Sequence, residues 1–143
     1  MNKLFLLLLV AGGLAACKKD QPGPSLNQTF ELPLHQTATL ATGSSPLRIT
    51  LTNVQDSRCP INAFCIWAGY AAVTLELKDA AAAPQTARIS LHYKDLSQYS
   101  ADSVAVTLNQ QDYWLRLLDV TPYPSTTGGS SQPPTAVLRL RPR

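Results

Sequence analysis

Apolar and polar residues alternate with a period of two along most of this chain, which is the signature of half-buried β-strands. In "TFELPL", Phe30, Leu32 and Leu34 share one face, and Pro33, which cannot donate to a ladder, marks an edge strand. "LRITLTNV" buries Ile49 and Leu51, and "AAVTLELK" buries Val73, Leu75 and Leu77. "ARISLHY" buries Ala87, Ile89, Leu91 and Tyr93, and "SVAVTL" buries Val104, Val106 and Leu108. "YWLRLLDV" starts with Tyr113, Leu115 and Leu117 on one face and ends with Leu118 and Val120 on the other, a parity switch that predicts a bulge. "AVLRLR" buries Ala136, Leu138 and Leu140. The alanine-rich "KDAAAAPQ" is too short to nucleate a helix and ends at Pro84, so it reads as a loop. About seven to eight short strands separated by polar turns predict an all-β fold, a small antiparallel sandwich or barrel. "PSTTGGSSQPP" has nothing to pack into a core and reads as exposed loop.

The N-terminus follows a different pattern. Lys3 precedes an unbroken apolar run, Leu4 to Val10, and small residues follow it. The run is too short to span a bilayer and has the form of a secretory signal. "LAAC", Leu14 to Cys17, resembles the lipobox of bacterial lipoproteins, and the resemblance implies that Cys17 is acylated and begins the mature chain. The expected organisation is a signal peptide over 1–16, an acylated cysteine with a flexible tether over 17–27, and a β-domain over 28–143. Removing 16 of the 143 residues leaves 127, one domain by length.

Lys3 leaves with the signal, so 11 basic side chains face 9 acidic ones in the mature chain. That near-neutral balance, with no basic run beyond Lys18-Lys19, argues against a nucleic-acid partner. The expected partners are the membrane, through the N-terminal lipid, and an envelope protein or glycan. Lys at position 18, where the enteric retention rule has Asp, favours the outer membrane. "CKKDQ" also resembles the surface-export signal of Bacteroidetes lipoproteins, with one acid where that signal has two.

With Cys17 acylated, Cys59 and Cys65 remain as an even pair in an oxidising compartment. "CPINAFC" contains the turn formers Pro60 and Asn62, which bring its ends to disulfide distance. The pair therefore reads as a structural staple. A zinc site needs more ligands, and His35 and His92 sit at outward positions far off in the sequence. The spacing is not that of a C-x-x-C redox pair. No cofactor is implied.

Counting back from Val73, the positions Ala71, Gly69, Trp67 and Cys65 share the inward parity, so Trp67 is expected to pack on the disulfide. A bulge at Gly69 would instead turn Ile66 inward and expose Trp67. Asp56, Ser57 and Arg58 read as a capped turn, with Asp56 accepting backbone N–H groups and Arg58 pairing with Asp56 or loop carbonyls. Ser57 lacks a neighbouring base, and the chain has no G-x-S-x-G elbow.

"DSRCP", four further residues and "CIWAGYA" resemble the signature of a group of small uncharacterised Bacteroidetes secreted or lipid-anchored proteins. The resemblance implies an N-terminal strand pair, the D-S-R-C-P loop, the W-A-G strand and a late segment, here "LLDVTPYP". It implies no activity.

Among the aromatics, Tyr93, Tyr99, Tyr113, Trp114 and Tyr123 could line a groove, although Tyr93 and Tyr113 also fit a core. With Tyr113 inward, Trp114 faces out. "DSV" resembles a Bacteroidetes O-glycosylation motif, which would modify Ser103. The expectation is a non-catalytic, lipid-anchored binding or accessory domain of the cell envelope. The alternative is an inhibitor of an envelope protease or lysozyme that presents loop 59–65, with Asn62, Phe64 and Trp114 as the candidate contact residues. A hydrolase is the weakest of the three readings.

Overall fold

A computed structural model describes residues 23–42, 45–80, 83–91 and 102–143. Cys17, His92, Tyr93 and Tyr99 lie outside the described residues. Eight strands form two four-stranded antiparallel sheets. They are β1 (Thr29–Pro33), β2 (Thr37–Thr42), β3 (Ser45–Asp56), β4 (Ala71–Lys78), β5 (Gln85–Leu91), β6 (Ser103–Leu108), β7 (Gln111–Thr121) and β8 (Thr135–Pro142). One sheet has the order β1-β8-β7-β6 and the other β2-β3-β4-β5. The arrangement is a sandwich and not a closed barrel, with β1 at an edge as Pro33 requires.

The core lies between the sheets and is built from the inward halves of the alternating strands. Ile49, Leu51, Leu75, Leu77, Ile89, Leu115, Leu138 and Leu140 are all essentially inaccessible. Burial of a leucine or isoleucine contributes about 1.5–3 kcal/mol each, so this interdigitated layer is the main source of stability. The bulge in β7 falls between Leu117 and Asp119, where the parity switch predicts it, and it lets both Leu117 and Val120 face the core. A second bulge, between Leu51 and Asn53 of β3, has no counterpart in the sequence reading.

The strand β2, "TATLAT", is also unanticipated. Leu40 is its one large apolar residue, and it pairs with Leu47 of β3. Asn109 and Gln110, both with positive φ, form the two-residue turn between β6 and β7, in the conformation that matches strand twist. Its Asn109 N–H donates to the buried Asp79 carboxylate after β4 at 2.7 Å, which ties the two sheets at that end.

This topology gives the sandwich two distinct ends. The β3–β4 connection, residues 57–70, and the end of β7 lie at one. At the other, Asn27 donates to the carbonyl of Leu140 near the start of β1, and Leu26, within the segment read as tether, already packs against the core.

Candidate functional site

The β3–β4 connection continues the hairpin past its paired residues Asp56 and Ala71. Ser57 N–H donates to the Tyr70 carbonyl at 2.9 Å, and Cys59 N–H donates to the Ala68 carbonyl at 2.8 Å. The ladder can narrow this way because Gly69 adopts φ +71°. A Cβ at Gly69 would lie 1.9 Å from the Ser57 carbonyl oxygen, so no other residue fits. Beyond the ladder, Cys59 and Cys65 form a disulfide with Cα atoms 5.9 Å apart, within the usual range. Ala63 N–H donates to the Pro60 carbonyl inside the ring, closing a turn.

Arg58 fixes this loop to the opposite sheet. It is 4% exposed, the one buried basic residue among the described residues. Its Nε and Nη2 donate to Oδ1 and Oδ2 of Asp56 at 2.9 and 2.6 Å, a bidentate fork. Nη1 donates to Asp119 Oδ1 at 3.1 Å, and Nη2 also donates to the Val120 carbonyl. Four of the five guanidinium donors are thus engaged. Tyr123 stacks below, its ring centroid 4.2 Å from the guanidinium carbon, adding a cation–π contact. Burial opposes the charge, but the hydrogen bonds and charges of Asp56 and then Asp119 outweigh it, and the Arg58 pKa is raised. Asp56 also accepts the Arg58 backbone N–H at 3.1 Å, so the expected capped turn is present.

Further bonds fasten the tip. Ile61 N–H donates to the Pro124 carbonyl at 3.1 Å, and Asn62 Oδ1 accepts the Thr126 N–H at 2.9 Å. The chain there follows a cis Thr121–Pro122 bond. "DSRCP" and "LLDVTPYP" therefore meet in space and hold one another.

The side chains that remain outside this bracket are apolar. Phe64 and Ile66 are fully exposed, Ile61 largely so, and Trp67 and Tyr123 about half. These are all of the exposed large hydrophobic side chains among the described residues, and every one lies on this loop or on the segment that braces it. Single exposed apolar residues are ordinary, whereas a cluster at one end of a small domain marks a contact surface.

Of the two expectations for Trp67, the exposed position is the one observed, without the inward turn of Ile66 that was to accompany it. Trp67 does not pack at the end of the core but is 57% exposed, in tilted contact with Tyr70 at 6.3 Å. The strand parity ends at Ala71, because Gly69 leaves the extended conformation and the residues before it form a loop.

Of the candidate contact residues, Phe64 projects outward, while Asn62 is turned toward Thr126 and serves the brace. Trp114 lies elsewhere, on the outer face of β7, half-buried under the Arg143 guanidinium at 5.3 Å. Tyr113 is a core residue. His35 is exposed in the β1–β2 turn, and the Ser103 hydroxyl bonds Asp102 at 3.2 Å. Sequence reasoning missed Asp119 and Tyr123 as partners of Arg58; the only signal was the parity switch beside Asp119. Comparison of the chain with protein-family models, with curated proteins and with solved structures finds no match.

Proposed function

We propose that this is a lipid-anchored envelope protein whose β-domain is a non-catalytic binding module, and that its contact surface is the apolar tip of the disulfide loop. The observation that carries the reading is the gathering of Ile61, Phe64, Ile66, Trp67 and Tyr123 on one braced end of the sandwich. A loop held by a disulfide, a buried arginine and a narrowed ladder loses little conformational entropy on docking, which favours affinity. Aromatic side chains at such a tip provide large contact area with few rotors to freeze.

A second reading, inhibition of an envelope protease or lysozyme, is favoured by the outward Phe64. A stapled loop with one fully exposed aromatic suits insertion into an enzyme cleft.

A photo-reactive residue in place of Phe64, introduced in intact envelopes, tests the first reading. It should give a discrete protein adduct that unlabelled wild-type domain competes away and that a probe at Glu31 on β1 does not form. Equal labelling from both positions sinks the loop assignment. For the second reading, purified wild-type protein should slow an envelope protease or lysozyme, and Phe64→Ala should weaken that inhibition by tenfold or more, about the effect of a hot-spot residue.

A further inference from the structure

The end of the sandwich opposite the disulfide loop carries a different chemistry. The last strand, β8, alternates Leu138 and Leu140 in the core with Arg139 and Arg141 on the outer face, and Arg143 follows. Arg139 stands directly opposite Arg116 of β7, and Arg141 directly opposite Trp114. The Arg143 guanidinium lies over the Trp114 ring. Like charges facing one another across a ladder destabilise a sheet, so this arrangement costs stability in the isolated domain. Asp102 answers Arg116 at 2.8 Å. Among the described residues, Arg139, Arg141 and Arg143 have no carboxylate partner, and Arg139 bonds only the Thr29 hydroxyl. The acids on the same face are Glu31, placed opposite Val137, and Asp112, which takes a hydrogen bond from Thr107.

This end of the sandwich is where the N-terminal segment arrives. Thr29 pairs with Arg139, Asn27 N–H donates to the Leu140 carbonyl, and Gly23 runs close beside Thr39 of β2 in the other sheet. On the reading that Cys17 carries the lipid, six residues separate the anchor from Gly23 and reach at most about 20 Å. About 20 Å of strand separates Trp114 from Val120, where the disulfide loop is fastened. The arginines and Trp114 are therefore held near the bilayer, and the apolar loop stands at the far end.

We propose that the Trp114 end of the outer face of β7 and β8, bearing Arg139, Arg141, Arg143 and Trp114, docks on the phosphate headgroups of the anionic bilayer that holds the anchor, with the disulfide loop at the opposite end of the strands. Guanidinium groups donate in forks that match phosphate oxygens, and a tryptophan beside them suits the headgroup layer, where its ring is apolar and its N–H is solvated. Each arginine near an anionic surface favours docking by about fivefold.

The two tryptophans of the chain lie at opposite ends and make the test internal. Full-length protein purified from membranes is reconstituted in phosphatidylcholine vesicles with or without phosphatidylglycerol, each containing a headgroup spin-labelled lipid as quencher. Trp67→Phe leaves Trp114 as reporter, and Trp114→Phe leaves Trp67. Trp114 should be quenched in vesicles containing phosphatidylglycerol and much less in phosphatidylcholine alone, and Trp67 should be spared in both. Arg141→Gln should weaken the docking equilibrium by about fivefold, and the Arg139→Gln/Arg141→Gln/Arg143→Gln variant should abolish quenching with a melting temperature no lower than that of wild type.

The proposal is overturned if Trp114 is unquenched in anionic vesicles, if both tryptophans are quenched alike, or if the triple variant behaves as wild type. It is also overturned if soluble polyphosphate shields Trp114 from acrylamide where vesicles do not, which would assign the face to a soluble polyanion. Failure of the anchor is read separately, as wild-type protein leaving all vesicles in high salt. In that case Arg-dependent quenching at low salt still decides the docking face.

Discussion

The guanidinium of Arg58 meets the carboxylate of Asp119, 61 residues further along the chain, at 3.1 Å. The contact joins the β3–β4 loop of one sheet to the end of β7 in the other, beside the β7 bulge that redirects Asp119. Asp56 supplies the closer, bidentate half of the pair and is the better shielded, with an 18% exposed side chain against 53% for Asp119. The site is thus one buried cation held by a local and a distant carboxylate, with a carbonyl and an aromatic ring completing its shell.

Removing that cation strands Asp56 and the Val120 carbonyl. Arg58→Ala should lower unfolding free energy by about 3–5 kcal/mol, the usual cost of breaking a buried ion pair from one side. Arg58→Lys should recover only part of this, because an ammonium cannot form the fork to Asp56. Asp119→Ala should cost less than Asp56→Ala, since exposed pairs are screened by solvent. Urea denaturation of the four variants gives the ranking. The Arg58 pKa is raised, so its contribution is fully present below the ordinary arginine value and is lost only as pH climbs through the higher folded value. The Arg58→Ala deficit should therefore stay constant from neutral pH to about pH 10.

Replacing Cys59 and Cys65 together by Ser should cost about 2–2.5 kcal/mol, through the wider denatured ensemble of the opened ring. Trp67 is exposed, so the loss should include no packing term from its ring. Arg58 continues to hold the loop base, and the far-UV circular dichroism of the folded variant should match wild type. Melting curves of oxidised and reduced wild type give an independent measure of the same step.

Gly69→Ala is a backbone test of the bracket. It forces an L side chain into φ +71° and drives its Cβ into the Ser57 carbonyl. The strained conformation alone costs about 1–2 kcal/mol. Relief requires the Ser57–Tyr70 and Cys59–Ala68 hydrogen bonds to open. Amide exchange at Ser57 and Cys59 should accelerate well before global unfolding, whereas unchanged protection there would show that the ladder does not depend on this glycine.

Much of the sandwich is legible in the sequence because a two-sheet core imposes strict alternation. The inward residues of β1, β3, β4, β6 and β8, with Ala87, Ile89 and Leu91 of β5, fall where period two places them, and the parity switch at Leu117–Leu118 locates the bulge, although Val120 enters the core without Leu118. The strand β2 escapes because threonine and alanine occupy most of its positions, and an edge strand needs only Leu40 to seat it. Trp67 is misplaced when parity is carried through Gly69, since one left-handed residue ends the alternation. The disulfide and the Asp56–Arg58 turn are local and can be read from "DSRCPINAFC". Asp119 and Tyr123 are not, because their contact with Arg58 is made by the stacking of two sheets, and no spacing along the chain encodes it.

Phe64 separates the role of the loop tip from the role of its bracket. The side chain is fully exposed, inside the disulfide ring, and no ion pair or ladder bond of the bracket passes through it. Phe64→Ala should therefore change unfolding free energy by no more than about 0.5 kcal/mol, as surface substitutions do. Under the proposed function the same change should lower partner affinity by at least tenfold, and Phe64→Asp by more, because it places a charge at the centre of an apolar contact. The paired measurement is a melting curve beside competition against the cross-linked adduct described above. An unchanged melt with lost competition assigns the tip to recognition. An unchanged melt with full competition moves the contact elsewhere, and a lowered melt would mean that Phe64 packs in the folded domain after all.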